Sequence, residues 1–76
     1  MSAIQKLQEL HALCVRLLRN YIEEAKRSCQ LLNEVPEFPV SLEVRKKILE
    51  QRRAENAAYE RYQIARRNLF KAAQWD

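Results

Sequence analysis

The sequence contains no glycine and only two prolines, Pro36 and Pro39, among its 76 residues. Glycine provides the backbone freedom that tight hairpin turns and phosphate-binding loops require. Its complete absence therefore argues against a β-sheet protein and against a nucleotide-binding loop. Helices need no glycine, and the two neighbouring prolines mark a single interruption of helix. The composition predicts an all-α protein with two helical segments.

Long apolar runs are also absent, because polar or charged residues interrupt every segment after a few positions. This pattern predicts no membrane-spanning helix, and the N-terminus lacks the basic flank and apolar core of a secretory signal. The two cysteines, Cys14 and Cys29, would lie roughly 22 Å apart on one helix, too far for a disulfide within the chain. Reduced thiols and the lack of a signal predict a cytoplasmic protein.

The hydrophobic periodicity predicts one domain made of two helices. Apolar residues recur at three- and four-residue spacing across residues 2–34, as they do on one face of a helix. This helix must end before Pro36, so residues 35–40 form the predicted connector. Ser41 is a suitable N-cap, and Glu43 favours the positive end of the next helix dipole. The second helix is predicted over residues 41–75.

The two predicted helices have complementary patterns when the chain is folded back at Phe38. Nine pairs of core positions then face each other, and the two residue numbers in every pair add up to 76. The pairs are Ile4–Ala72, Leu7–Leu69, His11–Ala65, Cys14–Tyr62, Leu18–Ala58, Tyr21–Glu55, Ala25–Gln51, Ser28–Ile48 and Leu32–Val44. Large residues mostly meet small ones, as in the facing layers of a helical seam. We therefore expect an antiparallel two-helix hairpin, with Phe38 covering one end of its core.

The first helix carries more apolar surface than one partner helix can cover. Apolar side chains flank its predicted core positions on both sides, at Leu10, Val15, Leu17, Ile22, Cys29 and Leu31. A seam with a single helix needs only a narrow apolar stripe, so these six residues are the predicted interface of a homodimer. The expected assembly is a four-helix bundle with coiled-coil packing. A helical partner of another kind would satisfy the same surface.

Polar residues at predicted core positions suggest weaker hypotheses. Tyr21 and Glu55 share a layer, where a hydrogen bond would fix the register of the helices, although a buried carboxylate could also act as an acid or base. His11 and Cys14 are weak candidates for a metal site, because a three-residue spacing lets both reach one ion. Because only two ligands are visible, we expect His11 and Cys14 to have structural roles. We expect no enzyme, because no catalytic constellation is visible, and no cofactor.

The charge of the chain is concentrated in its second half. Residues 41–76 carry nine Lys or Arg against five Asp or Glu, whereas residues 1–40 carry five of each. A possible nucleic-acid face on the second helix consists of Arg45, Arg52, Arg53, Arg66 and Arg67. The interleaved glutamates instead favour an ordinary solvated face with pairs such as Glu43–Lys47 and Glu50–Arg53. We expect the solvated face.

These observations predict a small non-enzymatic interaction or structural module that self-associates or binds partner helices through its first helix. The alternative is a dimeric helical-hairpin nucleic-acid binder that uses the basic face of its second helix. Membrane association is not expected, because the basic helix lacks a wide apolar face opposite its charges.

Overall fold

The computed structural model describes residues 2–34 and 41–74. It contains two α-helices, α1 (Ala3–Glu34) and α2 (Leu42–Ala73), each of 32 residues. The helices pack against each other as a hairpin that measures 56 × 15 × 14 Å. The predicted all-helical hairpin is confirmed. The predicted connector over residues 35–40, with Phe38, lies outside the described residues.

A serine immediately before each helix caps its first turn. The Ser41 hydroxyl accepts a hydrogen bond from the Val44 backbone N–H at 3.3 Å, as predicted, and Glu43 lies in the first turn. At the start of α1, Ser2 and Gln5 bond reciprocally: the Gln5 N–H donates to Ser2 Oγ, and the Ser2 N–H donates to Gln5 Oε1. This reciprocal arrangement is a capping box, which satisfies donors that the first turn leaves unpaired.

The contact between the helices, here called the seam, is fixed by three pairs of residues. Gln51 donates hydrogen bonds to the Glu24 backbone carbonyl and to Glu24 Oε2, both at 2.9 Å. The rings of Tyr21 and Tyr59 lie 5.1 Å apart between centroids, and Ser28 lines the same groove as Ile48. As the residue number of the contact rises along α1, it falls along α2, so the two helices are antiparallel.

Repeating these contacts every seven residues gives the rest of the seam, because a heptad returns each side chain to nearly the same face. On α1 the seam consists of Leu7, Leu10, Cys14, Leu17, Tyr21, Glu24, Ser28 and Leu31, all buried or half-buried. On α2 it consists of Val44, Ile48, Gln51, Glu55, Ala58, Tyr62, Ala65, Leu69 and Ala72, also all buried or half-buried. The α2 half of the seam matches the residues predicted from the sequence.

The α1 half of the seam differs from the prediction by one column of residues. Ile4 and Leu32, expected in the core, are 67% and 58% exposed, and His11 is also exposed. Leu18 and Ala25, which belong to the same predicted column, are half-buried. The column Leu10, Leu17, Glu24 and Leu31 is half-buried along its whole length, and Gln51 bonds to Glu24 within it. The reason is that α1 is apolar over more than two adjacent columns, so its periodicity alone does not select the pair that faces α2.

The buried core of the described residues is small. Only Cys14, Ala58 and Ala65 are buried, at 8%, 6% and 4% exposure, and none of the large described side chains is fully buried. Two small residues on α2 allow the helices to approach closely, but they cannot enclose the leucines of α1. The hairpin therefore keeps much of its apolar surface in contact with solvent.

Candidate interaction surface

Two grooves lie between the helices, one on each side of the seam, and they define the two faces of the hairpin. One groove is lined by Asn20 and Arg27 of α1 with Ala54 and Arg61 of α2. The other is lined by Leu32 of α1 and by Arg52 and Glu55 of α2. Because helix rotation fixes the order of the columns around each axis, these linings assign the remaining residues to one side or the other. We call the side of Leu32 and Arg52 the front face and the opposite side the back face.

The front face has two unlike halves, one from each helix. Its positions on α1 are Ile4, Gln8, His11, Val15, Leu18, Ile22, Ala25, Cys29 and Leu32. Its positions on α2 are Leu42, Arg45, Leu49, Arg52, Asn56, Tyr59, Gln63, Arg66, Phe70 and Ala73. The α1 half is mostly apolar, whereas the α2 half presents arginine and aromatic side chains. None of these positions holds Asp or Glu.

The six residues predicted as a dimer interface divide between the seam and the front face. Leu10, Leu17 and Leu31 belong to the seam, where they are half-buried against α2. The remaining three residues, Val15, Ile22 and Cys29, lie on the front face, and Ile22 is 42% exposed. The surplus apolar surface of α1 is therefore shifted to one side of the helix and lies next to α2 instead of opposite it.

The candidate nucleic-acid residues lie on the same side of the hairpin as this apolar surface. Arg45, Arg52 and Arg66 are on the front face, and Arg53 and Arg67 follow on the outer edge of α2. The two surfaces that the sequence presents as separate hypotheses are thus parts of one face. The antiparallel packing brings them together, because it places the apolar columns of α1 beside the arginine column of α2.

Aromatic side chains hold the α2 half of the front face against the seam and in place. Tyr59 packs on Tyr21 of the seam, with the ring planes inclined at 58°, and its hydroxyl accepts a hydrogen bond from Gln63 Nε2. The guanidinium carbon of Arg66 lies 5.2 Å from the centroid of the Phe70 ring. Stacking of this kind restrains an arginine and leaves its N–H groups free to bind an anion.

Acidic residues are concentrated on the back face. Five of the eight glutamates in the described residues lie there: Glu9, Glu23, Glu34, Glu43 and Glu50. They accompany six cations, namely Lys6, Arg16, Arg27, Lys47, Arg61 and Lys71. The back face is therefore close to neutral, whereas the front face carries three arginines, and the one carboxylate beside them is the half-buried Glu55 of the seam.

The ion pairs agree with this distribution. Within residues 2–34 and 41–74 they are Lys26–Glu23 at 4.0 Å and Arg27–Glu24 at 2.7 Å, both within α1. The pairs predicted for α2, Glu43–Lys47 and Glu50–Arg53, are not formed. Arginines of the front face are consequently not neutralised by neighbours on their own helix.

The main polar contact of the seam involves Glu24, which the sequence analysis places outside the core. Its carboxylate accepts from Arg27 through Oε1 and from Gln51 through Oε2, so both oxygens are satisfied. Tyr21 packs on Tyr59 instead of forming the predicted hydrogen bond with Glu55. The heptad spacing of Glu24 from Leu10, Leu17 and Leu31 is the signal that identifies its position.

Among the described residues, no third possible metal ligand lies with His11 and Cys14. Cys14 is buried in the seam, while His11 is exposed on the adjacent column. Within the described part of the chain, no three His, Cys, Asp or Glu side chains come together as a possible metal site. In the same part of the chain, neither helix combines the length and the apolar character needed to cross a bilayer.

Comparison with known proteins gives no relative from which a function could be transferred. No protein-family model matches the chain, and neither a curated protein nor a solved structure matches it significantly.

Proposed function

We propose that this protein is a non-enzymatic interaction module whose front face packs against helices of a second chain. The observation that carries the proposal is the apolar surface of α1 beside the seam, with none of the large described side chains fully buried. A helix that uses one apolar stripe for its partner within the hairpin does not require a second stripe next to it. The second stripe requires a second partner.

Five aliphatic side chains of α1 lie on the front face. They are Ile4, Val15, Leu18, Ile22 and Leu32. Complete burial of one such side chain contributes roughly 1.5–3 kcal/mol, and these side chains are already partly covered. Their further burial would contribute on the order of 5 kcal/mol in total, which is a large fraction of the stability of a small domain.

Two helices of a second chain, packed on the front face, would complete a four-helix bundle. The homodimer predicted from the sequence is one form of this assembly. The other form is a bundle with a different protein. The charge of the front face distinguishes between the two forms.

The proposal is tested by measuring molar mass with light scattering and binding with fluorescence anisotropy. The binding probe is an amphipathic helical peptide of about four heptads with leucines in its apolar stripe and neutral glutamines beside it. We expect the wild type to dimerise or to bind this peptide at micromolar concentration, and Ile22→Lys to lose that association.

The matched control is Ile64→Lys on the back face. Ile64 is 54% exposed and Ile22 is 42% exposed, so both substitutions place a lysine at a similarly exposed isoleucine of a helix. The control should associate like the wild type, and both variants should keep their helical circular dichroism. A wild type that stays monomeric and binds no peptide would show that the apolar surface has no such role.

A second candidate function is nucleic-acid binding, which the absence of carboxylates from the front face favours. A basic surface without internal ion pairs can neutralise phosphates, with an affinity that falls as salt rises. The test is binding of a labelled single-stranded RNA and a DNA duplex by wild type and by a variant with Arg52, Arg53, Arg66 and Arg67 changed to Ala. Binding at physiological salt that this variant loses, and that Arg61→Ala with Lys71→Ala retains, would support this function.

A further inference from the structure

We propose that the partner of the front face is an acidic amphipathic helix: one with an apolar stripe and a row of Asp or Glu along one side of it. This inference rests on the proposed function and names the chemistry of the partner. It follows from the difference between the two walls of the front groove, one of which belongs to α1 and the other to α2.

The first wall of the groove belongs to α1 and is apolar. Leu18 and Ala25 lie half-buried at its base, next to the seam, while Val15 and Ile22 lie further out. A third helix laid along the groove would cover these side chains with its own apolar stripe, as in helix-in-groove recognition. The apolar part of the partner therefore faces α1.

The second wall belongs to α2 and is mainly basic, with the half-buried Glu55 at its inner edge. Arg45, Arg52, Tyr59 and Arg66 follow one another at intervals of seven residues, which corresponds to about 10.5 Å along a helix. A partner helix with carboxylates repeated every seven residues on one flank would meet this row in register. Arginine recognises carboxylates through two parallel N–H donors, and the stacking of Arg66 on Phe70 holds one of these groups in place.

A second copy of the chain does not provide this complement. The front-face positions of both helices lack Asp and Glu, and Glu55 is half-buried beside Arg52 of its own chain, so two front faces packed together would offer each other's arginines no exposed carboxylate. The outer edge of α1 next to its apolar half carries Arg19 and Lys26, which adds further positive charge. Charge complementarity therefore selects a different, acidic chain.

Other anionic partners would use only part of the groove. A nucleic acid would bind the arginines but would leave the apolar wall of α1 in water. An anionic membrane is flat, and it would not reach the half-buried base formed by Leu18 and Ala25. An acidic amphipathic helix is the occupant that covers both walls.

The experiment compares two peptides with the same leucine stripe, one flanked by glutamates and the other by lysines. Their binding to the full chain is measured by fluorescence anisotropy at physiological ionic strength. We expect the glutamate peptide to bind more tightly by about tenfold or more, because each of several ion pairs adds a modest increment. In the variant Arg52→Glu with Arg66→Glu this preference should disappear or invert. In the control Arg61→Glu with Lys71→Glu, on the back face, it should persist.

Each result separates this inference from the proposed function. If both peptides bind equally and Ile22→Lys binds neither, the proposal of helix docking stands and the proposal of an acidic partner is overturned. A stable wild-type dimer that Ile22→Lys dissociates would overturn it in favour of a second copy. Binding of RNA or of anionic phosphatidylserine vesicles that requires Arg52 and Arg66, without binding of the glutamate peptide, would also overturn it. Binding of neither peptide by a monomeric chain would remove both proposals together.

Discussion

Helices α1 and α2 have the same length but contribute different side chains to the same seam. From α1 come leucines such as Leu10 and Leu17, whereas α2 contributes Ala58 and Ala65 at the positions that face them. Small residues on one helix let the backbones approach, but they enclose little of a leucine on the other. The unequal pairing therefore makes a close seam and at the same time leaves α1 with apolar surface to spare.

The difference continues outside the seam. Beside it, α1 presents Val15 and Ile22, whereas α2 presents Arg52 and Arg66. Each helix alone is an incomplete binding surface: α1 lacks charge for orientation, and α2 lacks a continuous apolar stripe. The comparison shows how a two-helix fold can form an amphipathic groove from one mainly apolar helix and one mainly basic helix.

The largest expected effect comes from a charge placed on the α1 side of the seam. We expect Leu17→Glu to destabilise the hairpin by about 3 kcal/mol or more, since the change removes apolar contacts and leaves a carboxylate against Ala58. A thermal melt followed by circular dichroism measures the effect. Arg16→Glu, on the exposed back face, is the control and should change stability little. Equal melts of the two variants would mean that Leu17 does not face α2.

The small side of the seam can be tested by making it larger. Ala65 is 4% exposed, so Ala65→Leu should force the helices apart and cost about 2 kcal/mol through overpacking. The control is Ala54→Leu on the exposed surface of the same helix, with an expected change within about 0.5 kcal/mol. Urea unfolding of both variants gives the comparison. Stabilisation by Ala65→Leu would show that α2 has room for a larger side chain here.

The polar link between the helices should have a smaller effect. Gln51→Ala removes two hydrogen bonds to Glu24, and we expect a loss of about 1 kcal/mol. Gln63→Ala is matched to it, because Gln63 bonds only to Tyr59 of its own helix among the described residues. Chemical denaturation should show the larger loss for Gln51→Ala. A larger loss for Gln63→Ala would show that Gln51 is not the glutamine that stabilises the hairpin.

The smallest expected effect is a gain in stability on α1. The Ser28 hydroxyl oxygen is buried and has no hydrogen-bond partner among the described residues. Ser28→Ala should therefore raise the free energy of unfolding by about 0.5 kcal/mol, since alanine also favours helix more than serine. Ser41→Ala provides a control of opposite sign, because it removes the N-cap of α2 and should cost about 1 kcal/mol. Destabilisation by Ser28→Ala would indicate that the hydroxyl is satisfied.

Much of the fold follows from sequence patterns that are unambiguous. Ser41 before a long periodic segment predicts the start of α2, and the contacts Tyr21–Tyr59 and Glu24–Gln51 together confirm the expected antiparallel order. Within the seam, α2 is predicted correctly because it has a single set of small and apolar positions. On α1 the choice between Leu17 and Leu18 as the residue facing Ala58 is not determined, since both are leucines one residue apart.

The candidate site could be predicted only in parts. Val15, Ile22 and Cys29 are visible in the sequence as surplus apolar residues, and Arg52 and Arg66 as basic ones. Their presence on one face is not visible, because it depends on which way α2 is rotated about its axis when it packs on α1. Glu24 is missed for the same reason: its role in the seam depends on the column that faces α2.

The two helices, the cap at Ser41 and the antiparallel pairing follow from local propensity and from a periodicity that each helix carries alone. The packing of the helices selects which column of α1 enters the seam and which columns of the two helices share the front face. The physical reason is that rotation of a helix about its axis is set by packing against its neighbour. An apolar strip wider than one seam, as on α1, allows several rotations, and contacts such as Tyr21–Tyr59 and Glu24–Gln51 select one of them.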